Sequence, residues 1–157
     1  VSDRVSAGVY EDRSGALCEE MVKNFFAGTG WRCKVGRAVV PDDAEKIESA
    51  LAGAVESDAD IVLTTGGTGL SPRDVTPDVV RNIIDREIPG IMEYIRVKYG
   101  ERNPNALLSR GVAGVTGNTI IFTLPGSSRA VREYLTEIFA VLEHLIYITR
   151  DINPHMR

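Results

Sequence analysis

Three short segments combine residue types that can hold an anion or a metal. The first, Thr64-Thr65-Gly66-Gly67-Thr68-Gly69, puts three glycines in four positions directly after an apolar run. Glycine reaches positive φ and lets the backbone approach a ligand, and successive amides in such a turn make an anion-binding concavity. A phosphate cradle over Thr65 to Gly69 is one reading; a tight structural turn fits the glycine count equally well. Neither named phosphate motif is present, because no Gly-Lys-Ser/Thr follows and no G-x-G-x-x-G threads through Gly67 or Gly69. A P-loop NTPase and a Rossmann dehydrogenase are therefore disfavoured. The second segment, Pro125-Gly126-Ser127-Ser128, joins an apolar run to a helical pattern, which puts helix N-terminal amides and a hydroxyl at the ligand end of a sheet. Taken alone, Ser127 reads better as a plain N-cap. Two such corners on one sheet edge weigh more than either alone.

The third set is acidic: Asp42 and Asp43, Asp74 within Ser71-Pro72-Arg73-Asp74, and Asp3 beside Ser2. Carboxylates next to a phosphate cradle repel an anionic ligand unless a divalent cation lies between them. Mg²⁺ suits that position, since it binds through one or two carboxylates plus substrate phosphates. Helix capping accounts for Asp43 or Asp78 and less well for Asp74, which falls inside a loop. No G-x-S-x-G and no H-E-x-x-H occurs, so covalent hydrolysis has no visible support. His144 lies in an apolar helical pattern and reads as a packed or surface residue, and His155 belongs to a polar tail.

These segments need a scaffold, and the apolar periodicity supplies one. Leu17, Met21, Val22, Phe25 and Phe26 recur at helical spacing behind Ser14 and stop at Gly28-Thr29-Gly30, predicting a helix over about 14–27 with Ser14 as its cap. Cys33 to Val40 has strand character; Asp42 or Asp43 then caps a helix carrying Ile47, Leu51, Ala54 and Val55. Asp60 to Thr65 reads as a buried parallel strand. Thr76-Pro77-Asp78 starts a helix, and Gly90 to Lys98 gives another. Tyr99 to Gly117 is less regular, with Gly114 and Gly117 as turn signals. Thr119 to Leu124 is a second buried strand, and Val131 to Leu145 marks a long final helix. Strands separated by helices imply crossovers and a three-layer α/β domain. Ligands of such folds collect beyond the carboxyl ends of the strands, where the three segments fall.

Composition narrows the function classes. With 157 residues, 43% hydrophobic and 25% charged, the chain is an ordinary globular domain of one core, expected to span 1–157 without linker or repeat. Net charge is −4, and Asp42 to Glu87 holds eleven acids against four bases, which disfavours duplex binding by phosphate neutralisation. No apolar run approaches the roughly 18 residues of a membrane span. Only Cys18 and Cys33 occur, without C-x-x-C spacing, which fits a reducing cytoplasm. Val1-Ser2-Asp3 reads as the tail of a strand whose beginning lies upstream, so the first strand is expected to be truncated.

Thr64 to Gly69 continuing through Ser71-Pro72-Arg73-Asp74-Val75-Thr76-Pro77-Asp78 resembles the signature of the molybdenum cofactor biosynthesis family that includes bacterial MogA and MoaB, plant Cnx G domains and gephyrin G domains. Val1-Ser2-Asp3-Arg4, Glu11-Asp12-Arg13-Ser14-Gly15, Leu107-Leu108-Ser109-Arg110 and Asn118 through Leu124-Pro125-Gly126-Ser127 follow in the family order. Ala16 departs from it, where related sequences often carry Pro. The resemblance implies a three-layer α/β/α sandwich with a mostly parallel central sheet, usually trimeric. It also implies adenylylation of molybdopterin by ATP with Mg²⁺, releasing pyrophosphate, and hand-over to a molybdenum-inserting partner. On that resemblance Asp42 and Asp74 anchor the metal and orient the reacting groups. Thr65, Gly66, Gly67, Thr68 and Gly69, with Pro125, Gly126 and Ser127, hold the phosphates, and Ser109, Ser2 and Asp3 line the pterin side. The alternative within the same resemblance is a non-catalytic MoaB-type or gephyrin-like scaffold.

Overall fold

The computed structural model describes residues 1–152; His155 lies outside them. Six α-helices and four strands follow one another as α1 (Asp3–Ser6), α2 (Arg13–Ala27), α3 (Ala44–Glu56), β1 (Ile61–Thr65), α4 (Thr76–Ile83), β2 (Arg86–Glu87), α5 (Pro89–Gly100), β3 (Ala113–Thr116), β4 (Thr119–Leu124) and α6 (Ser128–Thr149). A 3₁₀ turn, Pro104–Leu108, separates α5 from β3. The sheet order is β1-β4-β3-β2.

β4 is the organising strand. All six of its residues are buried, because β1 and β3 flank it and helices cover both faces. Its side chains alternate as a strand's must. Ile120, Phe122 and Leu124 pack with Leu17 of α2, Met92 and Ile95 of α5, and Leu135, Ile138 and Leu142 of α6. Ile121 points the other way, onto Ile47 and Leu51 of α3 and Val79 and Val80 of α4. The three layers expected from the alternating pattern are therefore present, with the long amphipathic α6 contributing more residues to the larger core than any other element.

The sheet is mixed rather than mostly parallel. β1 runs parallel to β4, but β3 pairs antiparallel with β4 and β2 antiparallel with β3. The antiparallel half was hidden in the stretch expected to be irregular. β3 reads Ala-Gly-Val-Thr, with no apolar alternation to betray it, and Gly114 sits within the strand because Ile84 and the Arg86 carbonyl crowd its α-carbon. Gly117 does make the turn into β4, at φ +52°.

Cys33 to Val40 is not a strand. It runs without a ladder, because among the described residues β1 pairs only with β4 and nothing extended lies against this segment except Ser2, whose N–H donates to the Val40 carbonyl at 2.9 Å. Strand propensity without a partner chain does not make a strand. One cap differs from expectation and one settles an alternative. Asp12, not Ser14, caps α2, accepting from the Gly15 N–H at 2.8 Å, and Ser14 instead donates its hydroxyl to the Gly126 carbonyl at 2.6 Å. Asp43 caps α3 through the Lys46 N–H, which frees Asp42 for other work. Ser2 caps the short α1, which begins at Asp3, where the tail of a strand was expected.

Candidate functional site

The parallel pairing of β1 with β4 sets Thr65 opposite Leu124, so the turns that follow both strands leave the same end of the sheet. The Gly66 N–H donates to the Leu124 carbonyl at 2.9 Å, and Gly126 packs against the Gly66 backbone. The two anion-suited segments are thus one corner. Thr65, Gly66, Gly67, Thr68, Gly69 and Gly126 line a single cavity of about 1190 Å³, and Ser2, Asp42 and Asp74 line it too. The cavity continues along the open edge of β1 toward Trp31–Val40.

Gly66 and Gly67 hold φ of +95° and +65°, the left-handed region that a glycine occupies without strain. Gly67 has a second reason to lack a side chain: a Cβ there would run into the Thr76 hydroxyl and approach Asp42 Oδ1 to 3.5 Å. The main chain is pinned in place by the Thr76 N–H, which donates to the Gly67 carbonyl at 3.3 Å. Asp74 folds back over the same loop. Its Oδ2 accepts from the Ser71 N–H at 2.8 Å and lies against the α-carbon of Gly69.

Asp42 is placed by a reciprocal pair of backbone bonds. The Asp3 N–H donates to Asp42 Oδ2 at 3.0 Å, and the Asp42 N–H donates to Asp3 Oδ1 at 2.9 Å. Arg73 lies 3.7 Å from the outer oxygen of Asp3. Each of Asp42 and Asp74 therefore spends one oxygen on the backbone and, among the described residues, keeps its Oδ1 unpartnered. Thr76 is fully buried at the corner and its hydroxyl has no partner. A buried polar atom left unpaired costs about 1–3 kcal/mol.

This donor set is all oxygen and matches the preference of a hard divalent cation. Among the described residues no group of three acidic, His or Cys side chains gathers for a metal, so a cation here needs ligand oxygens as well as protein ones. Cys18 also lines the cavity, but burial, helped by the charge of Asp12, pushes its thiol up to about 11. It stays protonated at neutral pH and is no nucleophile.

Not every expected residue converges. Ser127 is the N-cap of α6, its Oγ accepting from the Ala130 N–H at 3.2 Å. Ser127, Pro125, Asp3 and Ser109 do not line the cavity, although Asp3 orients Asp42. Ser109 lies behind the glycine loop, its Oγ accepting from the Gly111 N–H at 3.3 Å. Two residues at the corner went unassigned. Thr76 carried a signal in its position just ahead of a helix-starting proline; Arg110, next to Ser109, reaches the loop from outside.

Residues 1–144 match the family described as "Probable molybdopterin binding domain". The chain is 36% identical over 152 residues to the molybdenum cofactor synthesis protein cinnamon of Drosophila melanogaster, covering 96% of this chain but 25% of that protein. It is 34% identical over 146 residues to a molybdopterin adenylyltransferase of Helicobacter pylori, covering 92% of this chain and 81% of that one. The crystal structure of the molybdopterin biosynthesis enzyme MoaB from Thermus thermophilus superposes with a TM-score of 0.83 at 37% identity, over 96% of this chain and 92% of its own. Among the described residues no helix is long and apolar enough to cross a membrane.

Proposed function

We propose that this chain, which belongs to the family of probable molybdopterin binding domains and to molybdenum cofactor biosynthesis, transfers adenylate from ATP to molybdopterin. One observation carries the reading: the glycine turn after β1, the β4 turn and two half-satisfied carboxylates meet in one corner. An oxygen of the pterin's terminal phosphate attacks the α-phosphorus of ATP, the bond from that phosphorus to the bridging oxygen breaks, and pyrophosphate leaves with the electron pair. Such a transfer asks the protein for alignment and charge neutralisation, not for a covalent intermediate.

The chain's residues divide that work by type. Backbone amides of Gly67, Thr68 and Gly69 and of Gly126 bind phosphate oxygens, the Gly66 amide being held by the Leu124 carbonyl. Asp42 and Asp74, through their unpartnered Oδ1 atoms, would hold Mg²⁺ together with the nucleotide phosphates; bound there, the ion supplies charge neutralisation at the reacting phosphates. Thr76 backs the turn, its hydroxyl lying against the α-carbon of Gly67. Asp3 keeps Asp42 in register, and Ser2 serves the pterin side.

Self-association into a homotrimer belongs to the same reading, supported by the exposed Tyr94 and Val97 on α5 and the exposed Leu107 and Leu108 on the adjoining 3₁₀ turn. A molybdenum-inserting partner would receive the product.

The test is direct: purified protein, molybdopterin, ATP and Mg²⁺, with adenylyl-molybdopterin and pyrophosphate followed over time. Turnover abolished by EDTA and restored by Mg²⁺ supports the reading. Tight pterin binding without turnover at any metal concentration refutes the enzyme and leaves a carrier or scaffold.

A further inference from the structure

Through its side chain, Arg110 bonds two carbonyls of the loop that follows β1, those of Gly69 and Asp74. It follows the 3₁₀ turn and stands just ahead of β3, on the far side of the loop from the cavity. Its own N–H donates to the Thr68 carbonyl at 2.9 Å. Its Nε donates to the Gly69 carbonyl at 2.8 Å, its Nη2 to the Asp74 carbonyl, and its Nη1 to both carboxylate oxygens of Asp78 at 3.0 Å each. Arg110 itself does not line the cavity.

The direction of these bonds matters more than their number. In a trans peptide the N–H points opposite to the carbonyl of the same unit. Taking the Thr68 and Gly69 carbonyls from behind therefore turns the N–H groups of Gly69 and Leu70 away from Arg110. Among the described residues neither amide donates to any atom of the chain. The third carbonyl taken is that of Asp74, so the same guanidinium fixes the backbone that carries a carboxylate of the corner. Asp78, in the first turn of α4, anchors the guanidinium to a rigid element.

We infer that Arg110 is a positioning residue that presets the Gly69 amide and Asp74 for a nucleotide phosphate without touching it; this rests on the adenylyltransferase reading. A planar guanidinium presents fixed donors along two edges, whereas a lysine ammonium presents one charge on a flexible stem and cannot meet Gly69, Asp74 and Asp78 together. The charge is then expendable and the fork is not. Amides that bind phosphates in both ground and transition states lower KM without raising kcat.

The experiment compares wild type with Arg110→Lys by hydrogen exchange and by steady-state kinetics. The expected result is at least about tenfold faster exchange at the Ser71, Asp74 and Val75 amides with unchanged exchange in β4. In the adenylylation assay KM for ATP rises at least about tenfold, while kcat and KM for molybdopterin stay within about twofold. Wild-type loop exchange in Arg110→Lys overturns the inference, as does a kcat loss with unchanged KM for ATP. If wild type itself transfers no adenylate, the adenylyltransferase reading fails, and the exchange comparison, which needs no substrate, still decides whether Arg110 sets the loop. Should Arg110→Lys fail to fold, Asp78→Asn is measured by the same exchange: faster loop exchange supports the inference and unaltered exchange overturns it.

Discussion

Asp74→Asn separates the two jobs of one carboxylate. In the folded chain Oδ2 accepts the Ser71 N–H at 2.8 Å and Oδ1 is left to the cavity. Asparagine keeps a carbonyl acceptor for Ser71, so the loop loses only the difference between a charge-assisted and a neutral hydrogen bond, about 1 kcal/mol. In a domain of this size that lowers Tm by about 2–4 °C. The cavity side loses a full negative charge. If that charge helps to hold a divalent cation against the reacting phosphates, kcat/KM falls at least about tenfold, or about 1.4 kcal/mol of transition-state stabilisation. Asp74→Ala removes the loop acceptor as well, so it destabilises by about 1–3 kcal/mol beyond the loss of charge. The assay is adenylyl transfer across a Mg²⁺ titration, with Tm measured on the same samples. Turnover within twofold of wild type in Asp74→Asn removes Asp74 from the mechanism. A rate loss that tracks the Tm loss across both variants would make it a loop staple only.

Gly67→Ala should destabilise by about 2–4 kcal/mol in urea unfolding, combining left-handed strain with the collision against Thr76, whereas Gly30→Ala, at φ +77° with nothing within 4 Å, should lose only about 1 kcal/mol. Equal losses would show that Thr76 yields freely. Glu137 accepts from Lys98 Nζ at 2.7 Å and from the Tyr99 hydroxyl at 2.8 Å; the Lys98 bond first, against desolvation, holds its carboxyl below the usual range. A lowered folded value contributes stability that is complete above the ordinary carboxylate range and lost as pH falls below that range through the folded value, so the Tm gap between wild type and Glu137→Gln should be about 2–4 °C at neutral pH and narrow progressively as pH falls below the carboxylate range. A gap that persists unchanged at pH 3 refutes that origin. Val97→Glu, on an exposed face of α5, should convert a trimer to monomer in sedimentation while leaving Tm of the protomer within about 2 °C; a monomeric wild type removes that surface from the assembly.

Long amphipathic segments were legible because their periodicity is redundant. Missing one apolar position in α2 or α6 does not erase the stripe, and β4 declares itself by six apolar or β-branched residues in a row. Short elements had no such redundancy. β2 is two exposed residues held only by pairing with β3, and β3 hides a glycine inside a buried strand. Cys33 to Val40 failed in the opposite sense: its valines satisfy the propensity, but a ladder needs a neighbour, and propensity carries no information about one.

The corner was legible for a different reason. Glycines that must reach positive φ, and acids left over after capping, are exceptions to the local rules that the rest of the chain obeys, and exceptions gather where a ligand is bound. Gly66, Gly67 and Asp74 stood out on that ground, and the parallel pairing of β1 with β4 brings them beside Gly126. Ser127 did not hold to it, because it satisfies a cap and breaks no rule. Arg110 was invisible for the complementary reason. An arginine at a loop end is ordinary; its role follows from three carbonyls at positions 68, 69 and 74, about forty residues away in sequence, which no local pattern can encode. Residues that touch a ligand leave a mark in composition and spacing, whereas residues that aim those ligand-binding groups are found only once the backbone is folded around them.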